Sequence, residues 1–114
     1  MKIAVSIDTG NDLQAMVCQT FGRAPRFLLM DEETGRTEVI ENGAAQGAHG
    51  AGTGAAAMLA RSGVGAVISG RFGPNAFAAL KAAGIRMYPC GADASVGDAI
   101  GRLRGGALVE AESA

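Results

Sequence analysis

The run Gly43–Gly54, GAAQGAHGAGTG, separates two halves of the chain that have different sequence patterns. It is rich in glycine, it carries the chain's single histidine, and it has no side chain of fixed charge. A strand-like run precedes it and a helix-like run follows it. A glycine loop that leads into a helix leaves backbone N–H groups available to face an anion. The run therefore predicts the front of a site for a negatively charged ligand. The alternative is a glycine loop that needs only conformational freedom.

The charges around this run favour the same interpretation. From Gly43 to Ala92 the chain has no Asp or Glu, although Arg61, Arg71, Lys81 and Arg86 all lie there. The net charge of the whole chain is only −1. That balance gives no general attraction to nucleic acid or to a membrane surface. The positive charge is therefore local, which favours a confined anion site.

Length and composition bound the remaining possibilities. The 114 residues suffice for one domain with a single core, which we place at residues 1–106, followed by a short acidic tail at 107–114 that we expect to fray. No apolar stretch approaches the ~20 residues of a membrane span, and no signal peptide pattern follows Lys2. Cys18 and Cys90 are far apart in sequence, which together with the missing signal peptide pattern indicates free thiols in a reducing compartment. We expect a cytoplasmic protein.

Before the glycine run, the pattern predicts three antiparallel strands. Residues 2–7 are small and β-branched, as in a central strand covered on both faces. Residues 26–31 form a second strand. Glu33-Thr34-Gly35 is typical of a hairpin turn, and residues 36–41 alternate polar and apolar as in a half-exposed strand. The secondary structure of residues 13–20 is ambiguous from the sequence pattern.

After the run, helices and strands alternate. We predict a helix from Thr53 or Gly54 to Arg61, a strand at 64–69, a helix from Pro74 to about residue 83, a strand at 85–88 and a helix capped by Ser95. Such alternation implies parallel strands joined by crossovers. The predicted fold is α/β, a mixed five-stranded sheet with helices on both faces.

Three loops are expected to gather where the parallel strands end. They are residues 8–20, 70–74 and 89–94, and the glycine loop can join them at that edge. Arg23, Arg26 and Arg71 flank glycine-rich turns and could grip an oxyanion or thioanion, although ordinary surface arginines fit the pattern about as well. His49 could be a ligand or a proton-transfer group, but a solvated histidine is the commoner case. Cys18 and Cys90 could bind metal or be structural thiols.

Two other site classes fit poorly. Gly50-Ala51-Gly52-Thr53-Gly54 partly resembles a dinucleotide turn, but the acid expected ~20 residues later is missing. No Gly-Lys-Ser/Thr of a phosphate-binding loop is present. Asp8 would suit a magnesium nuclease, which needs several clustered carboxylates. The carboxylate-free stretch leaves chiefly Asp8, Asp12 and Asp31, with the distant Asp93 and Asp98, so this class also fits poorly.

Three motifs taken in order resemble one family over nearly the whole chain. They are Phe21-Gly22-Arg23-Ala24-Pro25, the glycine run leading into Gly52-Thr53-Gly54-Ala55-Ala56, and Gly73-Pro74-Asn75-Ala76-Phe77 followed by Ala82-Ala83-Gly84-Ile85. Together they are similar to the dinitrogenase iron-molybdenum cofactor biosynthesis family. Its members carry or assemble metal–sulfur clusters. One subgroup of this size, the orange protein of sulfate-reducing bacteria, holds a molybdenum–copper–sulfide cluster without covalent attachment.

The resemblance implies a ribonuclease-H-like fold and a non-enzymatic carrier in an anaerobic bacterium. The cargo would be a molybdenum–copper–sulfide or iron–molybdenum–sulfur cluster. The implied cluster-binding residues are Arg23, Arg26, His49, Gly50, Gly52, Arg71 and Asn75, with Cys18 and Cys90 as candidate metal ligands. Family members often have His before Phe-Gly, where this chain has Thr20, so a histidine ligand is not carried over there.

A polyanionic cluster suits the charge map, because N–H groups and arginines can hold sulfide by charge-assisted hydrogen bonds. Expected partners are cluster-assembly proteins or an ATPase, with no nucleic acid and no membrane, and the protein is expected as a monomer or weak dimer. The alternative function is a metal-free regulatory module that binds such an ATPase or assembly protein.

Overall fold

The computed structural model describes residues 1–46, 50–91 and 93–113. Its elements, in chain order, are β1 (Lys2–Ile7), β2 (Arg26–Asp31), β3 (Thr37–Glu41), a 3₁₀ turn (Gly43–Gln46), α1 (Ala51–Arg61), β4 (Val64–Ser69), α2 (Pro74–Ala82), β5 (Arg86–Pro89) and α3 (Val96–Arg104). Within these ranges, no helix combines the length and the apolar character that a membrane crossing requires.

One mixed sheet holds all five strands, in the order β3-β2-β1-β4-β5. β2 pairs antiparallel with both β1 and β3, whereas β4 pairs parallel with both β1 and β5. The predicted mixed five-stranded sheet is confirmed. The more specific ribonuclease-H-like assignment stays a prediction.

The sheet separates two hydrophobic cores. Successive strand residues point to opposite faces, so Ala4 joins one core while Ile3 and Val5 join the other. Leu59 of α1 and Leu80 of α2 pack in the first core. The second core receives Val96, Ala99 and Ile100 of α3. Helices therefore cover both faces, as predicted.

Several element boundaries differ from the sequence prediction, and β3, for example, begins at Thr37, one residue later than expected. α1 begins at Ala51, two residues earlier than expected, after Gly50 adopts a left-handed conformation with φ 73°. Gly52 and Gly54 thus lie inside the first turn, where glycine's low helix propensity argued against a helix. Tertiary packing overrides that propensity, since a Cβ on either residue would lie 2.8 Å from a neighbouring alanine Cβ. β5 begins one residue later than predicted and includes Pro89.

The acidic tail follows the sheet edge, contrary to the expectation that it frays. The N–H of Ala111 donates to the carbonyl of Met87 in β5, at 2.8 Å. Leu108 packs against the core beneath α3, and Ala111 packs against the opposite core. The tail therefore covers an edge strand that would otherwise present unpaired backbone groups.

The ambiguous segment between β1 and β2 is anchored to both central strands. The Cys18 N–H donates to the Ser6 carbonyl at 2.7 Å, and the Cys18 carbonyl accepts from the Gly70 N–H at 2.9 Å. The buried hydroxyls of Ser6 and Ser69 also donate to the Cys18 carbonyl, at 3.2 and 3.4 Å. These bonds place residues 20–23 beside the end of β4.

Candidate functional site

A cleft of about 610 Å³ lies at the edge of the sheet where β4 ends. Its lining comes from three segments of chain, residues 20–23, 50–52 and 71–76, with Phe72 not among the lining residues. The first segment follows the anchored Cys18, the second opens α1, and the third connects β4 to α2. None of the described residues that line the cleft is Asp or Glu.

Two helix N-termini converge on this cleft. The first hydrogen bonds along α1 and α2 are Gly54 N–H to Gly50 carbonyl, 2.8 Å, and Phe77 N–H to Gly73 carbonyl, 2.9 Å. The N–H groups before these bonds have no acceptor within their own helix. Neither helix has a side-chain cap, whereas the Ser95 hydroxyl of α3 accepts from the Asp98 N–H. The uncapped N-termini concentrate positive helix-dipole ends at the cleft.

Small residues bring the three segments together. A Cβ built on Gly22 would lie 2.8 Å from the Gly52 nitrogen, and a Cβ on Gly52 would lie 2.8 Å from the Ala76 Cβ. Contacts this short leave no space for a larger side chain at either glycine. The close approach therefore requires glycine at both positions.

Two arginines contribute side-chain charge. The Arg71 side chain is exposed and makes no hydrogen bond or ion pair with any residue that the structure describes. Its carbonyl accepts from the Phe21 N–H at 3.2 Å, which ties the first and third segments. Arg23 donates through Nη1 to the Ala45 carbonyl at 2.9 Å. Both guanidinium groups can form charge-assisted hydrogen bonds with an anion.

Arg26 does not line the cleft. It begins β2, where its Nε lies 3.4 Å from Glu41 Oε2 and its Nη1 lies 3.3 Å from the Gly10 carbonyl. The Nε contact is an ion pair without hydrogen-bond geometry, which is why that buried nitrogen has no hydrogen-bond partner. The structure thus places the Arg26 side chain in contacts at the start of β2, outside the cleft.

The two cysteines are buried on opposite faces of the sheet and do not form a pair. Burial raises the pKa of the Cys18 thiol, and the Asp8 carboxylate, which accepts from Sγ at 3.4 Å, raises it further. Cys90 lies in the core beneath α3, where Arg102 Nη1 donates to its Sγ at 3.8 Å. Neither thiol lines the cleft.

The remaining predicted positions divide between the cleft and other places. Gly50, Gly52 and Asn75 line it. His49 lies outside the described residues, so its position relative to the cleft stays a prediction. Of the three loops expected at this edge, the one after β5 contributes no described residue to the lining. Ala94 of that loop accepts instead from the Val17 N–H, at 3.0 Å.

Several residues that line the cleft were not predicted as site residues from the sequence, among them Thr20, Phe21, Gly22 and Pro74. Phe21, Gly22 and Pro74 belong to the motifs that carry the family resemblance. The structure gives the reason for glycine at position 22, which has no positive φ but lies against Gly52. A glycine without a conformational need suggests close approach of another segment.

The donor set fits an anion rich in hydrogen-bond acceptors. It consists of helix N–H groups, two guanidinium groups and the Asn75 amide, with no lining carboxylate to repel negative charge. The fold and the cleft together define a class, a small α/β protein with a candidate anion-binding site where two helices begin.

Comparison with known proteins gives the family. The model of the family described as "Dinitrogenase iron-molybdenum cofactor" matches residues 1–106, and the chain belongs to that family. The resemblance inferred from the motifs is therefore confirmed. An uncharacterised protein of Methanocaldococcus jannaschii is 38% identical over 91 residues, which cover 77% of this chain and 73% of that protein.

Solved structures agree with this assignment. The apo form of the orange protein from Desulfovibrio gigas is 37% identical, with a TM-score of 0.94 over 98% of this chain and 93% of that one. A putative NifB protein from Thermotoga, placed in the DUF35 family, is 38% identical, with a TM-score of 0.83 over 96% and 91% of the two chains. These relatives support a role in binding or carrying a metal cofactor.

Proposed function

We propose that this protein is a non-enzymatic carrier of an anionic metal–sulfur cluster, held without covalent attachment in the cleft. The cargo we propose is a molybdenum–copper–sulfide or an iron–molybdenum–sulfur cluster. One observation supports this most strongly: two uncapped helix N-termini and two arginines converge on a cleft that no acidic residue lines. Together, these groups would offset the negative charge of a sulfide cluster.

The backbone N–H groups, the arginines and the apolar side chains of the lining would each contact the cluster in a different way. The backbone N–H groups of Gly52 and Asn75 would donate to sulfide from the two helix starts. Arg23 and Arg71 would supply charge-assisted hydrogen bonds from opposite segments. Phe21 and Pro74 add apolar surface that reduces contact with water, which strengthens these electrostatic interactions.

The positions of the two thiols support non-covalent binding. Cys18 and Cys90 are buried away from the lining, and the raised pKa of Cys18 favours its protonated form. The thiolate is the form of cysteine that ligates metal. Cargo held by hydrogen bonds also leaves without breaking a metal–thiolate bond, which suits a carrier that delivers to a cluster-assembly protein.

The test begins with protein purified anaerobically from its native host and analysed by visible spectroscopy, metal content and inorganic sulfide. Coloured protein with stoichiometric molybdenum and sulfide is the expected result, and the copper and iron contents distinguish the two cargoes. Apo protein is then titrated with tetrathiomolybdate plus Cu(I). Protein that is colourless, metal-free and unable to take up either metal would overturn the carrier proposal in favour of a metal-free interaction module.

A further inference from the structure

Asn42, which follows β3, is a buried polar residue next to the segment that carries Arg23. Its side chain is 4% exposed, and each of its amide groups is hydrogen-bonded. Nδ2 donates to the carbonyl of Gly22 at 3.1 Å and to that of Ala24 at 2.8 Å. Oδ1 accepts from the Ala44 N–H at 3.1 Å. All of these partners are backbone groups.

The two bonds from Nδ2 bracket Arg23. They hold the carbonyls of the residues immediately before and after it, so the backbone of Arg23 cannot turn without breaking one of them. The Asn42 backbone adds a third tie, because its N–H donates to the Pro25 carbonyl at 2.9 Å. The side chain and the backbone of Asn42 together thus hold the loop that enters the cleft.

The same residue also holds the acceptor of the Arg23 side chain. The Asn42 carbonyl accepts from the Ala45 N–H at 3.2 Å, and the Ala45 carbonyl accepts from Arg23 Nη1 at 2.9 Å. Hydrogen bonds therefore link Asn42 to the loop that carries Arg23, Arg23 to Ala45, and Ala45 back to Asn42. The backbone of Arg23 is thus linked to the side-chain amide of Asn42, and its guanidinium is linked through Ala45 to the backbone carbonyl of the same residue.

We infer that Asn42 is a positioning residue for anion binding, which sets the Gly22–Arg23 edge of the cleft through hydrogen bonds to the backbone on both sides of Arg23. This inference rests on the proposed function for its ligand. Pre-positioning matters because an anion-binding arginine that must be ordered on binding loses side-chain entropy at that step. Asn42 itself is absent from the cleft lining and acts through Arg23 and Gly22.

The first test compares Asn42→Ala with Arg23→Ala and with the double variant, by titration of apo protein with tetrathiomolybdate plus Cu(I). We expect each single variant to bind about tenfold more weakly or worse. The double variant should bind little more weakly than Arg23→Ala, since residues of one network are not additive. Unchanged affinity in Asn42→Ala, or fully additive losses, would overturn the inference.

Ser62→Ala is the control, because it also removes a side chain that hydrogen-bonds a backbone carbonyl, that of Met58, at the end of α1 opposite the cleft. It should lose some stability and keep its affinity. An affinity loss in Ser62→Ala equal to that in Asn42→Ala would show a general effect of destabilisation and count against a positioning role. Asn42→Ser replaces Asn42→Ala if the latter does not fold.

A second readout needs no cluster. The Nε–H resonance of Arg23 in ¹⁵N NMR spectra should report a restrained side chain in apo wild-type protein and an averaged one in Asn42→Ala, while that of Arg71 stays unchanged. An unaltered Arg23 resonance in the variant refutes the inference. If wild-type protein takes up no cluster, the proposed function fails, and this NMR comparison alone decides the role of Asn42.

Discussion

Gly52 of α1 and Ala76 of α2 touch at the helix N-termini, so closely that a Cβ on Gly52 would lie 2.8 Å from the Ala76 Cβ. This contact brings the uncapped starts of two helices to one cleft. Ordinary side chains would hold the helix axes further apart. The site thus depends on the absence of a methyl group.

Gly52→Ala should therefore weaken anion binding and destabilise the fold. The added methyl overpacks the contact and separates the helix starts, at a cost of about 1–3 kcal/mol in the free energy of unfolding. Denaturant unfolding measures the stability, and titration with tetrathiomolybdate plus Cu(I) measures the affinity. Gly101→Ala in α3 is the control, because nothing lies within 4 Å of a Cβ there. It should gain about 0.5–1 kcal/mol and bind normally; equal behaviour of the two variants would contradict the packing argument.

Arg71→Ala should lower cluster affinity about ten- to hundredfold and change the free energy of unfolding by less than about 0.5 kcal/mol. The small stability effect is expected because this side chain has no hydrogen bond or ion pair with the described part of the chain. Isothermal titration and chemical denaturation check the two values. Arg86→Ala, which removes an exposed arginine of β5 away from the cleft, should leave affinity unchanged. Undiminished uptake by Arg71→Ala would remove Arg71 from the proposed site.

The Cys18 thiol should react slowly with alkylating reagents at neutral and mildly alkaline pH. Burial, helped by Asp8, raises its pKa above the ordinary value of 9.0, so the folded state favours the protonated thiol. The buried, protonated Cys18 thiol therefore stabilises the folded state fully at pH values below the pKa that Cys18 has in the unfolded chain. This stabilisation is lost as the pH rises through the higher pKa of the folded state. The rate of iodoacetamide alkylation is measured against pH in a Cys90→Ala background.

Asp8→Asn should shift this reactivity profile to lower pH, because the substitution removes the negative charge beside Sγ. Substituting Asp12 in the same loop is the comparison, since its carboxylate accepts from the Gln14 N–H instead. A reaction rate in the Asp8→Asn protein that follows the unshifted profile would contradict the assigned role of Asp8.

Truncation after Gly106 should lower the free energy of unfolding by about 1–3 kcal/mol. It removes the packing of Leu108 and Ala111 and the hydrogen bond from the Ala111 N–H to the Met87 carbonyl. Thermal and denaturant unfolding measure the loss. Removing only residues 112–114 should have little effect, because these contacts remain. Full stability in the longer truncation would show that the tail adds nothing to the edge of β5.

The sequence alone determined the element types and the mixed sheet, and it predicted an anionic ligand. Local chemistry suffices for these. The alternation in residues 36–41, Pro74 at a helix start, the Ser95 cap and the carboxylate-free stretch each act within a few residues or through composition. The ordered motifs were also enough to indicate the family.

Only the tertiary structure decided which predicted site residues meet. Arg23 and Arg71 reach the cleft, whereas Arg26 pairs with Glu41 and both cysteines are buried elsewhere. It also showed that α1 begins among glycines, and that Asn42 ties the Arg23 loop to β3. These relationships join segments that are not neighbours in sequence. They depend on close packing between segments, whose distances no local propensity specifies.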